Sequence, residues 1–167
     1  MADWNLPTDD MNCPLPVLVL GVGNILLSDE GAGIRVIEEL QRQPLPDGVE
    51  VVDGATRAME LVDIMRGRTK VIIVDAVAGS AEPGAIFRFG PAQLAELKEM
   101  SVSVHDIGVH QAISLLRLIG ELPGDITFYG IQPGSLALHE GLTPRVASAA
   151  EKIVGLVLDD LKKLTKG

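Results

Sequence analysis

The chain has 167 residues, which corresponds to about one domain of common size, long enough to bury a substantial core. Hydrophobic residues make up 47% and charged residues 22%, values that exclude a wholly disordered or fibrous chain. The 23 acidic residues outnumber the 14 basic ones, and the net charge of −9 disfavours nucleic acid and anionic membrane surfaces as partners. Cys13 is the only cysteine, which excludes an internal disulfide, and the acidic opening differs from a signal peptide. We therefore expect a cytoplasmic protein.

Buried strands are predicted first along the chain. Residues 1–16 contain three aspartates and three prolines, which predicts a flexible N-terminal tail before a single domain at residues 17–167. The run VLVLGVG from Val17 is typical of a strand that is buried on both faces. Two similar runs, Val49 to Val52 and Val71 to Val74, each follow a helical stretch and each precede an aspartate. This is the βαβαβ pattern of an α/β protein.

Helices are predicted from apolar periodicity and capping residues. The first extends from about Asp29 to Gln43 with Ser28 as its N-cap, and a second from about Ala58 to Met65. The run from Ala85 to Phe89 follows the third strand too closely for a helical crossover, so we expect an antiparallel strand. The remaining predicted elements are helices at Pro91 to Met100 and Ile107 to Leu118, a strand at Ile126 to Ile131, and a terminal helix from Pro144, capped by Thr143, to about Lys163.

Acidic residues follow the predicted strands at the edge where open α/β sheets bind ligands. A strand order of 2-1-3 would place Glu30 and Asp75 on neighbouring walls of one crevice. His105 precedes the Ile107 helix and can face the same crevice. One histidine and two carboxylates suit a borderline or harder divalent metal ion, with water in the other positions. Each residue also has an ordinary structural role open to it: a turn or cap for Asp75, the helix dipole for Glu30, and a loop position for His105.

Other kinds of site find less support. Gly21 and Gly23 follow a strand, and Asp53 ends the second strand as a ribose-binding acid would, but Leu26 stands where a dinucleotide-binding loop needs its third glycine. No GxSxG sequence is present, and Cys13 has no activating group nearby in the sequence, so serine and cysteine hydrolase chemistry is disfavoured. We expect His110 to lie on a solvated helix face and His139 to cap or pack a turn.

Five segments of the chain resemble the hydrogenase maturation endopeptidases in order and spacing. They are LVLGVGNILLSDEGAGIRVIEEL, VEVVDGATRAMELV, VIIVDAV, SVHDIGVHQAI and GIQPGSLALHEGLTPRV, and together they extend over about residues 17–160. The most specific is GxGNxLxxDEGxG, from Gly21 to Gly33. Members of this family remove a short C-terminal extension from the large-subunit precursor of nickel–iron hydrogenase once nickel is in place. The longer N-terminus departs from the family pattern, and no role is assigned to it.

The resemblance implies a fold and a set of site residues. The fold is a three-layer α/β/α domain with a mixed, mostly parallel five-stranded sheet in which one short strand is antiparallel. Glu30, Asp75 and His105 match the family's metal-binding and catalytic positions, and the turn of Asp53, Gly54 and Thr56 is implied to recognise the substrate.

The resemblance also bears on metal and partners. It implies that nickel is supplied by the precursor and that the enzyme, which we expect to be a monomer, holds no permanent cofactor. Whether nickel takes part in the chemistry, or the carboxylates act as general acid and base while nickel only positions the chain, stays open. Two competing hypotheses are a nickel-dependent checkpoint module without peptidase activity and an unrelated nucleotide-binding domain.

Overall fold

The computed structural model describes residues 16–55, 58–93 and 104–165, without the side chains of 58, 59, 104–107 and 165. The predicted tail lies outside these ranges except for Pro16, and so does most of the helix predicted from Pro91 to Met100. The carbonyl oxygen of Pro16 accepts hydrogen bonds from the amide groups of Thr69 and Lys70, at 2.9 and 3.2 Å. Backbone hydrogen bonding within the sheet therefore begins one residue before the first strand.

A five-stranded sheet with the order β2-β1-β3-β5-β4 forms the centre of the protein. Its strands are β1 Val17–Gly21, β2 Val49–Asp53, β3 Lys70–Ala76, β4 Ile86–Phe89 and β5 Asp125–Ile131. All neighbours are parallel except β4, which is antiparallel to β5. The sheet has the 2-1-3 order that places Glu30 and Asp75 at neighbouring strand ends, and the predicted antiparallel strand is confirmed. The connections from β1 leave in opposite directions, so the expected binding crevice lies at the carboxyl ends of β1 and β3.

Helices cover both faces of this sheet, which confirms the three-layer α/β/α architecture. They are α1 Ala32–Leu40, α2 Ala58–Met65, α3 Val104–Leu118 and α4 Pro144–Thr165. On one face, α1 and α4 pack with Val19 of β1, whereas α2 and α3 pack on the other face with Leu18 and Leu20. Because both faces are buried, the strands are continuous apolar runs rather than alternating ones. Within the described ranges, no helix is long and apolar enough to cross a bilayer.

Two predicted helix starts are wrong. A single 3-10 turn, Ser28–Gly31, precedes α1, and Ser28 is not an N-cap: its φ is +50°, and its hydroxyl donates to the carbonyl oxygen of Gly141 at 3.2 Å. This long-range contact overrides the local capping preference. Helix α3 starts at Val104 instead of Ile107, so His105 lies in the first turn of the helix and not in the preceding loop.

Candidate active site

The turn that follows β1 packs against β3 at the carboxyl edge of the sheet. The amide group of Val22 donates to the carbonyl oxygen of Val74 at 2.9 Å, and the turn Ser28–Gly31 is in contact with β3. Glu30 lies in this turn, and Asp75 lies one residue before the end of β3. The backbones that carry the two acids are therefore neighbours, as the observed strand order requires.

Two glycines of the GxGNxLxxDEGxG segment allow this close approach. A Cβ atom on Gly33 would overlap the carbonyl oxygens of Val22 and Val74, so only glycine lets α1 begin against the ends of both strands. Gly23 has a φ of +140°, and a Cβ atom there would overlap the carbonyl oxygen of Glu30. The segment thus folds back over the strand ends and holds the Glu30 turn in place.

The two candidate carboxylates differ in their surroundings. Asp75 is 6% exposed, and its Oδ1 accepts a hydrogen bond from the amide group of Ala76 at 2.8 Å. Glu30 is half-buried and precedes the first residue of α1 by two positions. The arrangement pairs a nearly buried carboxylate with a more accessible one at the same edge of the sheet.

His105 is placed by the direction of α3. The C-terminal end of this helix is followed by Glu121, which forms an ion pair with Arg66, and by Asp125, whose amide group donates to the carbonyl oxygen of Thr69 at 3.0 Å. These contacts lie at the amino edge of the sheet. A helix of 15 residues is about 22 Å long, which extends its first turn to the carboxyl edge. The side chain of His105 is not described. Among the side chains that the structure describes, no three metal-ligating groups come together.

The predicted substrate-recognition turn has clear structural roles. Asp53 is exposed at the end of β2, and its Oδ1 accepts a hydrogen bond from the amide group of Ala55 at 2.8 Å. Gly54 is buried and donates to the carbonyl oxygen of Gly21 at 2.8 Å, next to the end of β1. Thr56 lies outside the described residues. Asp53 therefore stabilises the turn, and its contact with substrate stays a prediction.

Asp29 is a residue that the sequence patterns did not single out as structurally important. Its side chain is fully buried, and its carboxylate accepts four hydrogen bonds. The donors are the amide groups of Gly134, Ser135 and Thr143 and the hydroxyl of Thr143, at 2.8, 2.9, 2.7 and 2.8 Å. An acidic residue before a helix resembles an ordinary partner for the helix dipole, and no local signal reveals donors more than a hundred residues away.

The turn around Asp29 and the loop of residues 132–143 are joined along their length. The amide group of Ser28 donates to the carbonyl oxygen of His139 at 2.7 Å, and the amide group of His139 donates to the carbonyl oxygen of Leu26 at 3.0 Å. Beside these hydrogen bonds, the side chains of Leu26 and Leu138 are 56% and 84% exposed. The loop after β5 is therefore held against the Glu30 turn by backbone hydrogen bonds, and apolar side chains beside these bonds face solvent.

Comparisons with known proteins agree with this architecture. A family model described as hydrogenase maturation protease matches residues 34–160. The chain is 42% identical over 149 residues to the hydrogenase 2 maturation protease of Escherichia coli strain K12, which covers 88% of this chain and 91% of that protein.

Two solved structures share the fold. The structure of the hydrogenase maturating endopeptidase HybD from E. coli aligns with a TM-score of 0.82 at 42% identity and covers 88% of this chain and 92% of that one. That of the [NiFe] hydrogenase maturation protease HybD from Thermococcus kodakarensis aligns with a TM-score of 0.72 at 26% identity, covering 84% and 95%.

Proposed function

The chain belongs to the hydrogenase maturation protease family and is a peptidase, and on this basis we propose that it removes a C-terminal extension from the large-subunit precursor of a nickel–iron hydrogenase after nickel insertion. The observation that best supports a site for this reaction is the contact between the Glu30 turn and β3, which bears Asp75. It puts two carboxylates on adjoining backbone segments at the edge where α/β sheets bind ligands.

In this proposal, Glu30, Asp75 and His105 contact the nickel ion that the precursor carries. Two carboxylates and one imidazole are suitable ligands for a borderline divalent ion, and the precursor supplies the others. Nickel is thus part of the substrate, and the enzyme needs no permanent metal. A cation also compensates for the hydration that Asp75 loses by burial.

Hydrolysis of the peptide bond requires that water loses a proton and that the leaving amine gains one. The nearby carboxylates are suited to these transfers, and nickel can in addition polarise the scissile carbonyl group. Precursors loaded with nickel or with zinc separate the two contributions. A changed kcat with zinc indicates that the metal takes part in the chemistry, whereas a change in KM alone indicates recognition.

We further propose that the enzyme acts as a monomer in the cytoplasm. The single cysteine agrees with a reducing compartment, and the net charge of −9 agrees with a protein partner rather than nucleic acid.

The decisive experiment incubates the purified protein with nickel-loaded and nickel-free precursor and measures the mass of the large subunit. We expect a shortened subunit only with nickel. The variants Glu30→Gln, Asp75→Asn and His105→Ala should abolish cleavage without a large change in Tm, whereas His110→Ala, on the same helix as His105, should cleave normally. Binding without cleavage by the parent protein would instead indicate a checkpoint module, and active variants at the three positions would disprove the assigned site.

A further inference from the structure

A groove of about 700 Å³ lies between α1, α4 and the loop before α4. It is on the sheet face that α2 and α3 do not cover. One of its ends is formed by Ile25, Ser28 and Gly31, so it opens beside the turn that carries Glu30. Its floor is apolar and consists of Ile25, Val36, Leu142, Ala147, Ala150 and Val154.

The rim of this groove is acidic. Four glutamates line it, whereas Arg35 is the basic residue among its lining side chains. Glu38 is paired with Arg35 at 2.9 Å and Glu39 with Arg42 at 3.1 Å. Glu140 and Glu151 are exposed and make no ion pair or hydrogen bond with any residue that the structure describes. The groove therefore offers an apolar floor and the uncompensated negative charge of Glu140 and Glu151, within a chain whose net charge is −9.

We propose that this groove binds a short segment of the substrate precursor that contains apolar side chains and at least one lysine or arginine, and that it directs this segment towards the Glu30 turn. The inference rests on the proposed function. Burial of apolar side chains on the floor supplies affinity, and the rim selects and steers a basic partner.

The length of the groove sets the length of the bound segment. Gly31 and Glu39 both line it and lie at opposite ends of α1. The rise of an α-helix separates them by about 12 Å, which corresponds to about four residues of extended chain. Because Ser28 and Gly31 of the Glu30 turn line the groove, the bound segment passes beside this turn.

Charge reversal tests the rim. The double variant Glu140→Lys/Glu151→Lys is compared with Asp47→Lys/Asp63→Lys, which makes the same change in net charge at exposed acids outside the groove. With nickel-loaded precursor, we expect the groove variant to raise KM about tenfold and leave kcat within about twofold, whereas the control variant stays close to the parent. Added salt should raise the KM of the parent by screening attraction, and it should lower that of the groove variant by screening repulsion between the introduced lysines and the basic segment.

A second variant tests the floor without a change in charge. Ala147→Phe, at a half-buried position on α4, fills the groove. We expect it to raise KM while circular dichroism and Tm show a folded protein. Equal KM values for the parent, Glu140→Lys/Glu151→Lys and Ala147→Phe would disprove binding of the precursor in the groove, while the proposed function would stand.

Binding of the precursor provides a measurement that does not depend on cleavage. Calorimetry with Glu30→Gln, alone and combined with the rim or control substitutions, measures the affinity directly. Weaker binding only in the rim combination supports the groove even if the parent protein fails to cleave. An equal loss in both combinations, or no binding of the precursor at all, rules it out.

Discussion

The carboxylate of Asp29 accepts two hydrogen bonds from Thr143, one from the amide group at 2.7 Å and one from the hydroxyl at 2.8 Å. The two residues are 114 positions apart in the sequence. Their contact ties the turn after β1 to the residue before α4, and bonds from Gly134 and Ser135 extend it along the loop after β5. A fully buried carboxylate is stabilised here by donors that surround it.

Replacement of Asp29 should destabilise the fold. Asp29→Ala leaves buried donors without an acceptor and should lower the free energy of unfolding by about 3 kcal/mol. Asp29→Asn should cost about 2 kcal/mol, because its amide group turns a donor towards other donors. Urea unfolding measures both, with the exposed Asp63→Asn as the control. An Asn variant as stable as the parent would show that the charge of Asp29 is dispensable.

Gly33→Ala should be strongly destabilising. Its Cβ atom would overlap the backbone carbonyl oxygens of Val22 and Val74, which cannot move without disturbing β1 and β3. We expect a loss of about 3 kcal/mol or more in the free energy of unfolding, together with lower cleavage activity because α1 and the Glu30 turn shift. Thermal unfolding and the cleavage assay test this. A variant with normal stability would mean that the backbone adapts easily at this position.

Gly155→Ala should instead raise the free energy of unfolding. Gly155 lies in the interior of the 22-residue helix α4, is exposed, and a Cβ atom there would meet nothing within 4 Å. Alanine restricts the unfolded chain and favours the helix, so we expect stabilisation by about 0.5–1 kcal/mol. This corresponds to a rise in Tm of about 1–4 °C, which calorimetry can detect. A lower Tm would show an unfavourable contact on α4.

Acid should weaken a cluster that joins the edge of the sheet to α4. The hydroxyl of Tyr129 donates to Asp160 at 2.7 Å, and Arg88 donates to the same carboxylate at 3.1 Å. Burial raises the pKa of Asp160, but the hydrogen bond from Tyr129 and the charge of Arg88 outweigh it, so the pKa lies below its ordinary value of 3.8. Because the folded pKa is the lower one, the carboxylate stabilises the fold above pH 3.8, and this contribution is lost as the pH falls through the folded pKa.

Asp160→Asn should therefore lower the free energy of unfolding by about 1 kcal/mol at neutral pH. The difference in free energy of unfolding between this variant and the parent should become smaller as the pH falls below the ordinary carboxyl pKa of 3.8. Asp159→Asn, at an exposed neighbouring position, serves as the control in urea titrations at several pH values. A difference that is independent of pH would exclude ionisation of Asp160 as its source.

Asp53→Asn should alter substrate choice more than the rate on the preferred precursor. The substitution keeps an oxygen that can accept the hydrogen bond from Ala55, so the turn should stay folded. The loss of charge changes a surface beside the candidate site. Cleavage of two different large-subunit precursors measures the effect, and an equal loss on both would place Asp53 in the chemistry instead.

Local patterns were sufficient to predict the layers and most of the sheet. The continuous apolar runs around Val19 and Ile72 are buried on both faces, because each strand lies between two helical layers. The periodic residues Val146, Ile153 and Val157 form the fully buried face of α4, as predicted. The short connection after β3 predicted the antiparallel strand, and the position of strand ends selected Glu30, Asp75 and His105 before the family resemblance matched them. Their roles as ligands stay predictions.

The sequence by itself determined which segments are strands and helices, because hydrophobic periodicity is a property of neighbouring residues. Only the tertiary structure decided how the Glu30 turn is held. The hydroxyl of Ser28 donates to Gly141 instead of capping the predicted helix, and the carboxylate of Asp29 accepts hydrogen bonds from the loop after β5. These hydrogen bonds join residues more than a hundred positions apart, and their partners are chosen by the packing of the sheet and helices rather than by local sequence.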